Sequence, residues 1–141
     1  MGLNKESSLG SSLYGDIWAE TSTAALNENH LLYSKYTNAE LSTQFPNSSL
    51  GNQFKAISKM IKIYKDRDIE RDILCAEKLR LDTHANIDAN LPTHFNEINS
   101  ALKSLKEEMK AQGMWIQVNI VFVSEIGRTL QPNTANGTDR V

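Results

Sequence analysis

The chain predicts an α/β fold: a fragment of a doubly wound parallel sheet flanked by helices, with a helical N-terminal part. Two observations carry this. Ile116-Gln117-Val118-Asn119-Ile120-Val121-Phe122-Val123 is rich in β-branched residues and ends in a nearly continuous apolar run, as a strand buried on both faces does. Ahead of it, Phe95, Ile98, Leu102, Leu105 and Met109 recur at steps of three and four, the period of a helix packed along one side. A helix leading into a buried strand is the second half of a βαβ unit, whose crossover is right-handed.

The elements follow in chain order. Residues 1–12 are rich in Ser, Gly and Asn and read as a frayed start. From Tyr14 to Tyr36 the apolar points Ile17, Trp18, Ala24, Ala25, Leu31 and Leu32 drift in spacing, which predicts one bent helix or two short ones. Residues 37–49 form a connection, with Pro46 opposing helix at Phe45 and the following serines offering an N-cap. Leu50, Phe54, Ile57, Met60, Ile61 and Tyr64 then make one helical stripe, read as core packing. The segment from Ile73 to Leu81 is interrupted by Glu77, Lys78 and Arg80, so its pattern alone does not fix a strand. The helix around Phe95–Met109 is expected to start near Pro92 and stop at Gly113, with the charges from Lys103 onward forming a solvated face.

Composition narrows the function classes. With 141 residues the chain is one ordinary domain, and 40% apolar against 23% charged residues places it among globular proteins. A net charge of −2 and a pI near 5.9 give no basic footprint for nucleic acid. No apolar run reaches the length of a membrane span, and the polar start lacks a signal-peptide core. Cys75 is alone, which excludes a disulfide scaffold and a Cys-based zinc site; its apolar neighbours predict a small buried hydrophobe.

Two acid-bearing motifs carry the chemistry. The first is Leu81-Asp82-Thr83-His84; the second runs from Val121 through Ser124-Glu125-Ile126-Gly127-Arg128-Thr129 to Asn133 and Gly137-Thr138-Asp139-Arg140. Side chains two apart at the end of a strand share a side, so Asp82 and His84 could reach one ion, with Glu125 at the end of a neighbouring strand. Carboxylates and imidazole are ligands for a divalent metal, which polarises a phosphoryl or sulfuryl oxygen and activates water. The bland alternative for Asp82-Thr83-His84 is a helix N-cap with His84 a bystander. Arg128 suits an oxyanion because its fork binds two oxygens; the alternative is a surface ion pair.

These motifs, preceded by Leu50-Gly51-Asn52-Gln53-Phe54, resemble in order the family catalogued as domain of unknown function 1501, over residues 45–141. That family resembles a branch of the alkaline-phosphatase and sulfatase superfamily of metal-dependent hydrolases. The resemblance implies a strand over Ile73–Leu81 and a βαβ unit over residues 73–123. It also implies metal ligation by Asp82, His84 and Glu125 and oxyanion contact by Arg128. Residues 45–141 would then be a partial α/β domain of this type, and 1–44 a separate, poorly assigned stretch. Three departures are visible. Leu79-Arg80 stands where the family has a glycine pair; Arg140-Val141 replaces His-Gly, putting a cation where an imidazole ligand is usual; and the sequence ends there, whereas members of the family run several hundred residues. Ile126 also stands in place of an aromatic residue. With at most three ligands and no identifiable nucleophile, the expectation is a truncated relative of a phosphatase- or sulfatase-like hydrolase with little or no turnover. The competing readings are a non-catalytic α/β binding or structural module, and an unstable gene fragment. Two isolated strands would leave open sheet edges, so self-association is expected.

Overall fold

Two helices carry the core, because both have apolar residues repeating on one side. The computed structural model describes residues 13–79, 81 and 83–141. It contains α1 (Leu13–Asn38), α2 (Ser49–Lys62) and α3 (Ile87–Ala111), with short 3-10 turns at Lys65–Arg67 and Trp115–Gln117. Leu50 and Phe54 of α2 pack on Ala101, Leu105 and Met109 of α3, with Phe45, Ile57, Ile61, Ile98 and Trp115 around them. The frayed start expected over residues 1–12 lies outside the described residues.

The α2 N-terminus forms as its sequence dictates. Ser48 is extended, and its Oγ accepts the Gly51 N–H at 3.1 Å, satisfying one of the helix's orphan donors. Gly51 is needed at that position: a Cβ there would lie 2.1 Å from the Pro46 carbonyl oxygen. Gln53 holds the irregular segment that follows α2 by both polar atoms, its Oε1 accepting from the Glu77 N–H at 2.8 Å and its Nε2 donating to the Glu77 carbonyl at 2.9 Å. Lys78 pairs with Glu97 of α3 at 2.8 Å and holds that carboxyl below its ordinary range.

α3 begins five residues before Pro92. Its N-cap, Asn86, has φ 51°, and the first helical N–H groups are satisfied from afar: Asn86 N–H donates to Ala135 O and Ile87 N–H to Asn136 O. Gly113, at φ 71°, follows the C-cap as expected of a left-handed terminator. Phe95, placed on the apolar stripe by its spacing, is 55% exposed.

α1 is one helix, and most of its apolar points meet no core. Tyr14, Ile17, Trp18, Leu26 and Leu31 are exposed, because their spacing never gathers them on one side. Its C-terminal end is tied down by Lys59, whose Nζ donates to Tyr36 O and stands 5.1 Å over the Tyr36 ring, and by the Lys35–Asp66 pair.

The parallel α/β sheet is not there. Among the described residues no strand forms, and the fold is helical. Residues 73–79 and Leu81, the described part of the first expected strand, take no regular form, and Ile73 is 91% exposed. The second expected strand starts as the 3-10 turn Trp115–Gln117 and continues irregularly, with Ile116 at 92% exposure. The βαβ reading over 73–123 fails with them. A strand is stable only when its backbone groups meet another strand, and among the described residues these two segments make no backbone hydrogen bonds to each other. The apolar stripe of α3, expected to cover a sheet, is instead taken by α2. Cys75 lies on the first of these irregular segments and is exposed, against its reading as a buried hydrophobe.

Two buried side-chain oxygens, Ser58 Oγ and Gln112 Oε1, lack a hydrogen-bond partner among the described residues. The Ser58 hydroxyl is fully buried. Ser58→Ala removes an unsatisfied polar atom and improves helix propensity, so it is expected to stabilise the protein by about 1 kcal/mol, read as a rise in the urea midpoint.

Candidate functional site

Residues from three stretches, up to 56 positions apart, meet in one cluster behind the N-terminus of α3. Thr83 and His84 enter from the segment before α3. Arg128 and Thr129 come from the stretch after it, and Asn133 and Gly137–Asp139 from the terminal loop. The loop is organised around Asn133, whose Oδ1 accepts from the N–H groups of Ala135 and Gly137 and whose Nδ2 donates to His84 O at 3.0 Å and to Asp139 Oδ1 at 2.9 Å. Asn is suited to this because one amide both accepts and donates.

The loop then pairs back on both sides. Thr138 N–H donates to Thr83 O at 2.8 Å, and the two threonine hydroxyls lie 3.2 Å apart. Thr129 N–H donates to Asp139 O, Val141 N–H to Gly127 O, and an isolated antiparallel bridge joins Arg128 to Arg140. Gly137 is buried against the 84–85 peptide, where a Cβ would stand 2.1 Å from the His84 carbonyl carbon and oxygen. The Gly-Thr-Asp spacing is therefore a packing requirement: glycine for the approach, threonine for the pairing, aspartate for the rim.

At the rim, Arg128 Nη1 donates to Thr138 O at 2.7 Å and stands 3.2 Å from His84 Nδ1; Asp139 Oδ1 lies 3.9 Å from the same nitrogen. A guanidinium only donates, so a hydrogen bond in this contact has Nδ1 as its acceptor.

Of the four expected site residues, the structure brings His84 and Arg128 together. Asp82 lies outside the described residues, as does Arg80 of the departing Leu79-Arg80 pair. Glu125 is exposed on the stretch where Ser124 Oγ donates to Ile126 O; among the described residues, Asp139 brings a carboxylate oxygen to 3.9 Å from His84 Nδ1. Among the described residues no three His, Cys, Asp or Glu side chains are placed to hold a metal. For Nδ1 of His84 to hold a divalent cation, the Arg128 contact at 3.2 Å would have to give way. Asn133 and Asp139, the organisers of the site, were both within the recognised motifs. Their signal was the Asn-x-x-x-Gly-Thr-Asp spacing rather than any metal-ligand pattern.

A family model described as "Protein of unknown function (DUF1501)" matches residues 59–140. No match was found among curated proteins or among solved structures.

Proposed function

From the premise that the chain belongs to this family of unknown function, DUF1501, we propose that it is a relative of phosphatase- and sulfatase-type hydrolases that binds an oxyanion without turning it over. One observation supports the reading: the guanidinium of Arg128 lies 3.2 Å from His84 Nδ1, so a cation stands beside the imidazole that the family resemblance makes a metal ligand. The planar guanidinium of Arg128 suits a tetrahedral anion such as phosphate or sulfate, which its parallel N–H groups can hold by two oxygens at once. Asp139 offsets part of the positive charge, which keeps the affinity weak.

Titration of the whole chain with inorganic phosphate and with sulfate, followed by the His84 ring signals in NMR, tests this. Millimolar binding is expected, weakened by about tenfold or more in Arg128→Ala, since one charge-assisted contact is worth about 1.5–3 kcal/mol. Aryl phosphate and aryl sulfate esters are expected to remain intact with or without added Zn²⁺ or Mn²⁺. Retention of about one equivalent of metal that is lost in His84→Ala, or ester hydrolysis dependent on it, would overturn the reading in favour of a working metal site.

A further inference from the structure

Asn136-Gly137 is the one place in the sequence where asparagine precedes glycine. That pair is chemically labile in water, because glycine has no Cβ to keep its backbone nitrogen from the preceding side-chain carbonyl. Attack of the Gly137 nitrogen on Asn136 Cγ forms a C–N bond and closes a succinimide ring. The proton of the Gly137 N–H passes to water, and Nδ2 leaves as ammonia. Water then opens the ring at either carbonyl. The product is aspartate or, with the main chain lengthened by one carbon, isoaspartate.

We infer that Asn136 is a deamidation site which the docked terminal loop holds back, and that the product, set against Asp88, keeps the loop from docking again. Both reacting groups are engaged in the structure. Gly137 N–H donates to Asn133 Oδ1 at 2.9 Å, and Asn136 Nδ2 donates to Asp88 Oδ2 at 2.9 Å. The main chain of Asn136 is held as well: its N–H donates to Asn133 O at 3.1 Å, and its carbonyl accepts from Ile87 N–H at 2.8 Å. Ring closure removes the hydrogen from Gly137 N and the amide nitrogen from Asn136, so it breaks both side-chain contacts. Gly137 is moreover buried against the 84–85 peptide, away from the water that must take its proton. The docked loop therefore resists the reaction, and an opened loop permits it. Reclosing then fails. Aspartate puts a second carboxylate where Asp88 Oδ2 receives an N–H, and isoaspartate displaces the carbonyl that satisfies Ile87. Release of the loop also withdraws Thr138 O, which accepts from Arg128 Nη1 at 2.7 Å, so the modification reaches the candidate site.

Mass spectrometry of the tryptic peptide Thr129–Arg140, taken from the full chain aged at neutral pH and compared with the same peptide made synthetically and aged alike, tests the inference. Asn136 is expected to deamidate at least about tenfold more slowly in the chain, since only the locally opened fraction reacts. Asn133→Ala removes the acceptor of the Gly137 N–H and is expected to bring the rate close to that of the peptide, with helical circular dichroism unchanged. Should that variant lose its helical signal, low urea serves with the wild type. The rate should then rise in step with hydrogen exchange at Thr138 while Leu105 stays protected. Asn136→Asp, standing in for the product, is expected to lower protection of the Ile87 and Thr138 amides by about tenfold. Adding Asp88→Asn to that variant removes the opposed charge and is expected to restore the protection. Equal rates in chain and peptide, a rate that does not follow loop opening, wild-type protection in Asn136→Asp, or protection that Asp88→Asn fails to restore would each overturn it.

Discussion

Gly137→Ala is expected to open the motif cluster while leaving the α2–α3 core folded. The added Cβ would stand 2.1 Å from the His84 carbonyl carbon and oxygen and 2.4 Å from Ala85 N. All three are backbone atoms, so no side chain can swing aside. The loop must back away from the 84–85 peptide, and with it goes the Thr138 N–H to Thr83 O bond. Overpacking of this kind costs about 1–3 kcal/mol, and backbone neighbours put it at the upper end. Hydrogen exchange reads it locally: the amides of Thr138, Gly137 and Ile87 should lose protection together, while those of Leu105 and Met109 keep theirs. The His84 ring signals should shift as Arg128 and Asp139 move off Nδ1. Unchanged protection at Thr138 would mean that the close approach is not a requirement.

That prediction marks where the sequence was legible. Gly137, Asn133 and Asp139 stand in recognisable order, which predicts a loop at Asn133 and Gly137 but not the contacts with Thr83 and His84 that it makes. What could not be read was which carboxylate faces His84. Choosing Glu125 depended on residue 125 ending a strand beside another strand. Pairing is a non-local property, decided by what lies across the backbone rather than by the β-branched content of Ile116–Val123. The helices were legible because their signal is local. Leu50, Phe54, Ile57 and Ile61 fix α2 by spacing, and Ser48 caps it from three residues away. The start of α3 escaped for the opposite reason: its first N–H groups are satisfied by Ala135 and Asn136, some fifty residues on.

The charged run from Lys103 hid a buried carboxylate. Glu108 was assigned to a solvated face, yet it stands between Leu105 and Met109 on the α3 stripe, where helical spacing could have placed it, and it is fully buried. Its Oε2 accepts from the Thr43 N–H at 2.8 Å and its Oε1 from Gln112 Nε2 at 2.9 Å. Gln112 Nε2 also donates to Ser58 O, so the carboxylate links α2, α3 and the segment before α2. Burial pushes its pKa up, but the Gln112 and Thr43 hydrogen bonds outweigh it and hold the carboxyl below its ordinary value of 4.5.

Glu108→Ala is therefore expected to cost about 2–3 kcal/mol, since it strands two donors in the core. Glu108→Gln does not rescue it: both partners are donors, and one end of the amide would set NH₂ against N–H. The linkage has a definite sign. A carboxyl with a depressed folded pKa binds fewer protons in the folded state, so its stabilisation is complete above the unfolded value of 4.5 and disappears as pH falls through the folded one. Urea unfolding from pH 7 downward should show wild-type stability falling below 4.5, with a shallower fall in Glu108→Ala because that group no longer contributes. Parallel pH profiles for the two proteins would show instead that the carboxylate is not the charge on which this packing depends.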